Sequence, residues 1–254
     1  MLGYENERGA KHSTPQGVKD LGRNGTYLVF RQLEQNVKEF DRFLSETAEL
    51  VRSGIGAGAG NEEEWVAARL VGRYRSGEPL IPAAADSPGR AETRNDFLYH
   101  FEDPFGLACP IGAHIRRANP RDVLGPSPET ALRLSRMHRI IRRGRIYGEK
   151  WPSAGAAGEA KGEQAEGRGL HFICLNADIA GQFEMIQHTW LNGTSFNGLY
   201  SETDPMSHYC PSDNTMTFQH RPTNLRFSVP KFVTVRGGGY FFLPGITALQ
   251  SLAQ

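Results

Sequence analysis

The stretch richest in reactive side chains runs Cys109-Pro-Ile-Gly-Ala-His-Ile-Arg-Arg-Ala-Asn-Pro-Arg121, in which one imidazole, His114, precedes Arg116, Arg117 and Arg121. A histidine supplies a metal ligand or a proton carrier near neutral pH. Arginines grip phosphates or carboxylates through paired, charge-assisted hydrogen bonds. The tract could therefore hold a phosphate, a nucleic acid, or the carboxylates of a ligand such as a porphyrin, and residue types alone do not choose among them. The plainer alternative is a structural or surface histidine among solvated arginines. A second basic tract, Arg136-Met-His-Arg-Ile-Ile-Arg-Arg-Gly-Arg145, is equally ambiguous. Read as a strand, it puts Arg139 and Ile141 on one face and Ile140 and Arg142 on the other. An arginine on a half-buried face needs an anion beside it; a solvated basic edge strand needs none and guards against sheet-to-sheet aggregation.

Positioning these residues falls to elements legible in the apolar pattern. Thr26-Tyr-Leu-Val-Phe30 reads as a strand, and Leu33, Val37, Phe40, Phe43 and Leu44 mark one face of a helix reaching about Val51. Ser53 to Gly60 is a glycine-rich linker; no Lys-Ser/Thr follows, as a phosphate loop requires. Asn61 and three glutamates cap a short helix through Trp65, Ala68 and Val71 that ends near Gly72. Residues 73–112 read as a long irregular connection, Leu132 to Ile141 as a strand, and Ser153 to Gly167 as a low-complexity loop. Gly169 to Leu175 is a buried strand. Ile179, Phe183, Ile186 and Trp190 then follow at helical spacing, after the capping run Asn176-Ala-Asp178. Beyond a polar, turn-rich stretch from Gly193 to Asn224, strands Lys231 to Arg236 and Tyr240 to Leu243 flank Gly237-Gly-Gly239, and a last helical turn follows. This order predicts an α+β protein with an antiparallel sheet, not a parallel βαβ series.

Composition narrows the classes further. Of the 254 residues, 29 are Lys or Arg and 28 Asp or Glu, a net charge of +1 that gives no general basic surplus for nucleic acid or a membrane surface. No apolar run approaches the length of a spanning helix. The first residues do not form a secretory signal, and three widely spaced cysteines, Cys109, Cys174 and Cys210, argue against a disulfide scaffold. The expectation is a cytoplasmic protein with no nucleic-acid or membrane partner.

Several tracts together resemble the haem-binding half of the dye-decolorizing peroxidases. They are Cys109 to Arg121, Arg139-Ile-Ile-Arg-Arg-Gly-Arg-Ile-Tyr-Gly148, Gly169-Leu-His-Phe-Ile-Cys-Leu-Asn-Ala-Asp-Ile-Ala180 and Phe232-Val-Thr-Val-Arg-Gly-Gly-Gly-Tyr-Phe-Phe-Leu-Pro244, in that order. Asp20 to Glu34 is similar to a stretch of the family's long members, so the likeness covers nearly the whole chain.

The resemblance implies a ferredoxin-like antiparallel sheet with helices packed on one face, of the dimeric α+β barrel type. It implies a haem-binding domain over 26–254, preceded by a remnant or connecting loop over 1–25. It implies haem b, with His114 as axial ligand to the iron, and Asp178 as the carboxylate orienting that imidazole, with Glu184 as the fallback. Arg142 maps onto the family's distal arginine, which stabilises charge as peroxide is cleaved, and Arg121 is the candidate for holding a haem propionate. The implied partners are hydrogen peroxide and an organic reductant such as a dye or phenol; the reading also allows a homo-oligomer. One departure stands out: no G-x-x-D-G motif, whose aspartate is the family's distal acid-base, occurs in the chain. The N-terminal half is therefore expected to be missing, and a haem-binding protein with little peroxidase turnover is the alternative reading. A third, nucleic-acid binding through the two arginine-rich tracts, predicts steep salt dependence.

Overall fold

The computed structural model describes residues 1–6, 9–12, 14, 20–55, 61–81, 95–149, 151, 167–207 and 214–253. Most of the glycine-rich stretch 53–60 and nearly all of the low-complexity loop 153–167 lie outside these residues, as does Cys210. The chain divides into two compact units, one of residues 1–36, 137–185 and 233–254, the other of residues 37–136 and 186–232.

The first unit is built on an open, antiparallel, four-stranded sheet. Its strands are β1 (Thr26–Gln35), β2 (Ile141–Tyr147), β3 (Gly169–Asn176) and β6 (Val233–Leu243), in the spatial order β2-β3-β1-β6. The first strand lies between the third and the last, as the ferredoxin-like expectation requires, and β2 and β6 are edges, so no barrel closes. Val29 of β1 stands opposite Cys174 of β3, and both are buried under Phe183, with Ile140, Phe172 and Ile179 packed around them. The segment that covers this face is helical but wider than an α-helix. Asp178 accepts from Gly181 N at 3.0 Å, and the turn Ala180–Glu184 has π-helical spacing, with Glu184 N donating to Ile179 O at 2.9 Å. The apolar spacing therefore located the helix correctly but did not reveal its pitch.

Three boundaries differ from the sequence reading. Leu33, expected on the first helix, belongs to β1, because both edges of that strand are paired, with β3 and β6, as far as Glu34. Lys231 to Arg236 and Tyr240 to Leu243, expected as two strands, are one strand running through the glycines. A Cβ on Gly238 would sit 2.3 Å from Phe30 O, so a glycine there permits the close approach of β1. The expected strand Leu132 to Ile141 is instead the end of helix α5 (Pro128–Met137) followed by the start of β2. Ser127 O–γ accepts from Thr130 N, and Pro128 holds the first helical position, a start signal that outweighs the alternation in Leu132-Arg-Leu.

The second unit holds α1 (Val37–Ile55), α2 (Glu62–Val71), α3 (Tyr99–Glu102), α4 (His114–Ala118), α5, the π-helical turn Ile186–Leu191, and the hairpin of β4 (Thr215–Phe218) with β5 (Leu225–Ser228). Helix α2 has the expected ends. Asn61 accepts from Glu64 N at 3.1 Å, and Gly72 closes the helix in the left-handed conformation at φ 96°, where a side chain would be strained. The chain ends in α6 (Ile246–Leu252), which belongs to the first unit. Among the described residues no helix is long and apolar enough to cross a membrane.

Candidate functional site

In the second unit, His114 opens α4, and the loop before it is held from both sides. Asp103 accepts from Ala108 N at 3.1 Å and from Cys109 N at 2.8 Å. Arg116, wholly buried, donates to Asp103 Oδ2 at 3.0 Å, to Cys109 O at 2.7 Å and to Asp103 O at 2.9 Å, and its guanidinium lies over the Tyr99 ring. Gln219 accepts from Ile111 N at 2.9 Å. Arg116 and Asp103 form a buried charge pair in which both terminal nitrogens of the guanidinium are hydrogen-bonded.

Arg117, also wholly buried, ties α4 to the segment that carries the second half of the site. It donates to Trp190 O at 2.9 Å, Gly193 O at 3.1 Å and Glu202 O at 2.7 Å. Glu202 in turn accepts from Thr217 N at 3.0 Å and from the Thr217 hydroxyl, and Asp204 N donates to Leu191 O at 2.8 Å. These bonds bring a carboxylate to the imidazole. His114 Nδ1 stands 3.0 Å from Asp204 Oδ1 and 3.0 Å from Oδ2, with the Asp204 side chain 0% exposed and that of His114 34% exposed.

Burial pushes the Asp204 carboxyl upward, but the charge and hydrogen bond of His114, with the hydroxyl and backbone N–H of Ser207, outweigh it and hold the group below the usual carboxylate range. An ionised carboxylate only accepts, so the proton between the two residues sits on Nδ1. In the neutral ring Nε2 is then the atom that would bind a metal. A partly exposed imidazole with a fixed tautomer and a buried carboxylate behind it suits a single axial ligand to a haem iron. Among the described residues no group of three or more His, Cys, Asp or Glu gathers to hold a bare metal ion.

The carboxylate at His114 is thus Asp204, which corrects the expectation of Asp178 or Glu184. Asp178 caps the turn at Gly181, and Glu184 accepts from the Tyr240 hydroxyl at 2.9 Å; both belong to the sheet unit. Nothing local marks Asp204: it lies 90 residues from His114 in a turn-rich stretch that sequence reading left without a role.

Arg121 is corrected as well. It is 5% exposed at φ 55°, donates to Asn95 O and Phe97 O at 3.0 Å each and to Asn95 Oδ1 at 2.8 Å, and stacks on the Phe97 ring. Its carbonyl accepts from the Ser135 hydroxyl at 2.6 Å. These contacts make it a tie between a loop and α5 in place of a propionate anchor. With Arg116 and Arg117 buried too, the first basic tract is no surface for nucleic acid. Arg142 lies on the exposed edge strand β2, opposite Cys174 in the ladder. Of the other histidines, His171 stacks on Tyr147 with ring centroids 4.7 Å apart, and His138 Nδ1 bonds Gly181 O.

No family model matches the chain. A multifunctional dye peroxidase of Amycolatopsis sp. is 34% identical over 237 residues, which span 90% of this chain and 49% of that protein. Among solved structures, a DyP-type peroxidase of Anabaena sp. superposes with a TM-score of 0.71 at 32% identity, covering 90% of this chain and 46% of that one. A dye-decolorizing peroxidase solved in complex with 2,6-dimethoxyphenol gives a TM-score of 0.71 at 28% identity, over 98% of this chain and 55% of that one. The fold is that of the DyP-type peroxidases, an α+β architecture on an antiparallel sheet. Curated relatives 34%, 32% and 33% identical to it over about 90% of its length are dye-decolorizing peroxidases, and the chain spans about half the length of these relatives.

Proposed function

We propose that this chain is a haem-dependent peroxidase that reduces hydrogen peroxide and oxidises organic donors such as dyes and phenols, with haem b as cofactor and His114 as its axial ligand. The observation that carries the reading is the His114–Asp204 pair, a part-exposed imidazole with its tautomer set by a buried, ionised carboxylate. Homology to named dye peroxidases supports it. The haem would supply the iron through which electrons pass from donor to peroxide. Asp204 accepts the Nδ1 proton of His114, fixes the ring's rotation and raises the electron density at Nε2. Arg142, by resemblance, donates hydrogen bonds from a permanently charged guanidinium and stabilises the negative charge that develops as the O–O bond breaks. Both described cysteines are buried free thiols, which agrees with our placing the protein in a reducing cytoplasm.

The missing G-x-x-D-G motif favours a second reading, a haem-binding protein with slow turnover, since a positioned acid-base contributes typically about 10²–10⁴ in rate. Titrating the chain with haemin tests the first step. A Soret band is expected that disappears in His114→Ala, and an unchanged spectrum in that variant overturns the ligand assignment. Peroxide-driven oxidation of 2,6-dimethoxyphenol by the loaded chain then separates peroxidase from binder.

A further inference from the structure

The Asp204 carboxylate receives hydrogen bonds from Ser207 as well as from His114. The backbone N–H of Ser207 reaches Asp204 Oδ2 at 2.7 Å, and the Ser207 hydroxyl donates to the same oxygen. Both carboxylate oxygens stand 3.0 Å from His114 Nδ1, so the donors share one negative charge. Each donor draws electron density from the carboxylate and weakens it as an acceptor for the others. The carboxylate is fully buried while Ser207 is exposed, so a surface hydroxyl reaches the group that controls the imidazole.

We propose that Ser207 is a positioning residue that sets how strongly Asp204 pulls on the Nδ1 proton of His114, and thereby how strongly Nε2 donates to a bound iron. The proposal rests on the reading of His114 as the axial ligand. The backbone N–H of Ser207 anchors the turn and survives any substitution except proline; the hydroxyl does the tuning. Without it, Asp204 concentrates its charge on the Nδ1–H, the ring gains imidazolate character, and the oxidised iron is favoured over the reduced. Because Ser207 is exposed, the change leaves no cavity.

Two variants and two readouts test this. In the haem-free chain with ¹⁵N-labelled histidine, Ser207→Ala is expected to move the His114 Nδ1–H resonance downfield. In the haemin-loaded chain the same variant is expected to lower the midpoint potential of the bound iron. Ser207→Thr, which keeps the hydroxyl, is expected to restore wild-type values of both. A wild-type resonance and potential in Ser207→Ala overturn the proposal, as does a Thr variant that behaves like Ala. A shifted resonance with an unchanged potential overturns transmission to the iron. Failure of the ligand reading has a different signature: a Soret band that survives His114→Ala, whatever the haem-free resonance does.

Discussion

His114 and Asp204, 90 residues apart in the chain, meet with Nδ1 3.0 Å from each carboxylate oxygen, the carboxylate fully buried and the ring partly open to solvent. An imidazole so held has one rotation and one tautomer. The pairing gives a preorganised imidazole in place of a flexible surface histidine.

Asp204→Asn keeps the shape and removes the charge. Loss of a carboxylate behind a ligating histidine costs about 10–100-fold in affinity, so haemin binding, followed at the Soret band, is expected to weaken by that range. Asp178→Ala is expected to leave haemin affinity at the wild-type value and to cost about 1 kcal/mol in urea unfolding, as the loss of a turn-capping side chain does. The reverse pattern would restore Asp178 as the carboxylate at His114.

Arg116 separates scaffold from ligand contact. It is 0% exposed and bonded to Asp103 and to two carbonyls, so Arg116→Ala strands a buried carboxylate and is expected to cost about 3–5 kcal/mol. Denaturant unfolding of the haem-free chain measures it. A loss under about 1 kcal/mol would mean the pair is dispensable to the fold.

At the start of α2, a hydrogen bond from Arg52, with the helix's own backbone N–H, holds the Glu62 carboxyl below its ordinary value, against a smaller upward push from burial. A depressed carboxylate contributes stability that is present above its unfolded pKa and lost as pH falls through the folded one. Wild-type melting temperature is therefore expected to drop more between pH 7 and pH 3 than that of Glu62→Gln. Parallel acid limbs in the two proteins would contradict this.

Burial pushes the Cys109 thiol up to about 12, a shift that the nearby Arg116 only partly offsets. Reactivity follows the thiolate, so alkylation of Cys109 by iodoacetamide at pH 8, read by peptide mass spectrometry, is expected to be negligible in the native chain and rapid in urea. Fast native labelling would show that the loop before His114 opens.

The two basic tracts show where sequence stopped being enough. Arginine content allowed Arg116, Arg117 and Arg121 to be read as a ligand-gripping patch, yet all three are buried and donate to backbone carbonyls, those of Arg117 lying at residues 190 to 202. A guanidinium carries five donors whether it faces a phosphate or a carbonyl, so the residue type cannot reveal the acceptor. Arg142 lies on the exposed edge strand β2, the solvated basic edge that the second tract allowed, although most of the strand expected over Leu132 to Ile141 is helix.

What the sequence determined by itself was local: the strands at 26, 169 and 233, the capped helix ending at Gly72, and an antiparallel α+β class. These follow from periodicity, capping and turn chemistry, which act over a few residues. Only the tertiary structure decided which carboxylate meets His114. Asp178, Glu184 and Asp204 are chemically equivalent as sequence; the three carbonyl bonds of Arg117, reaching residues 190 to 202, bring the third of them to the ring. A long-range contact depends on the packing of the whole unit, and no local pattern encodes it.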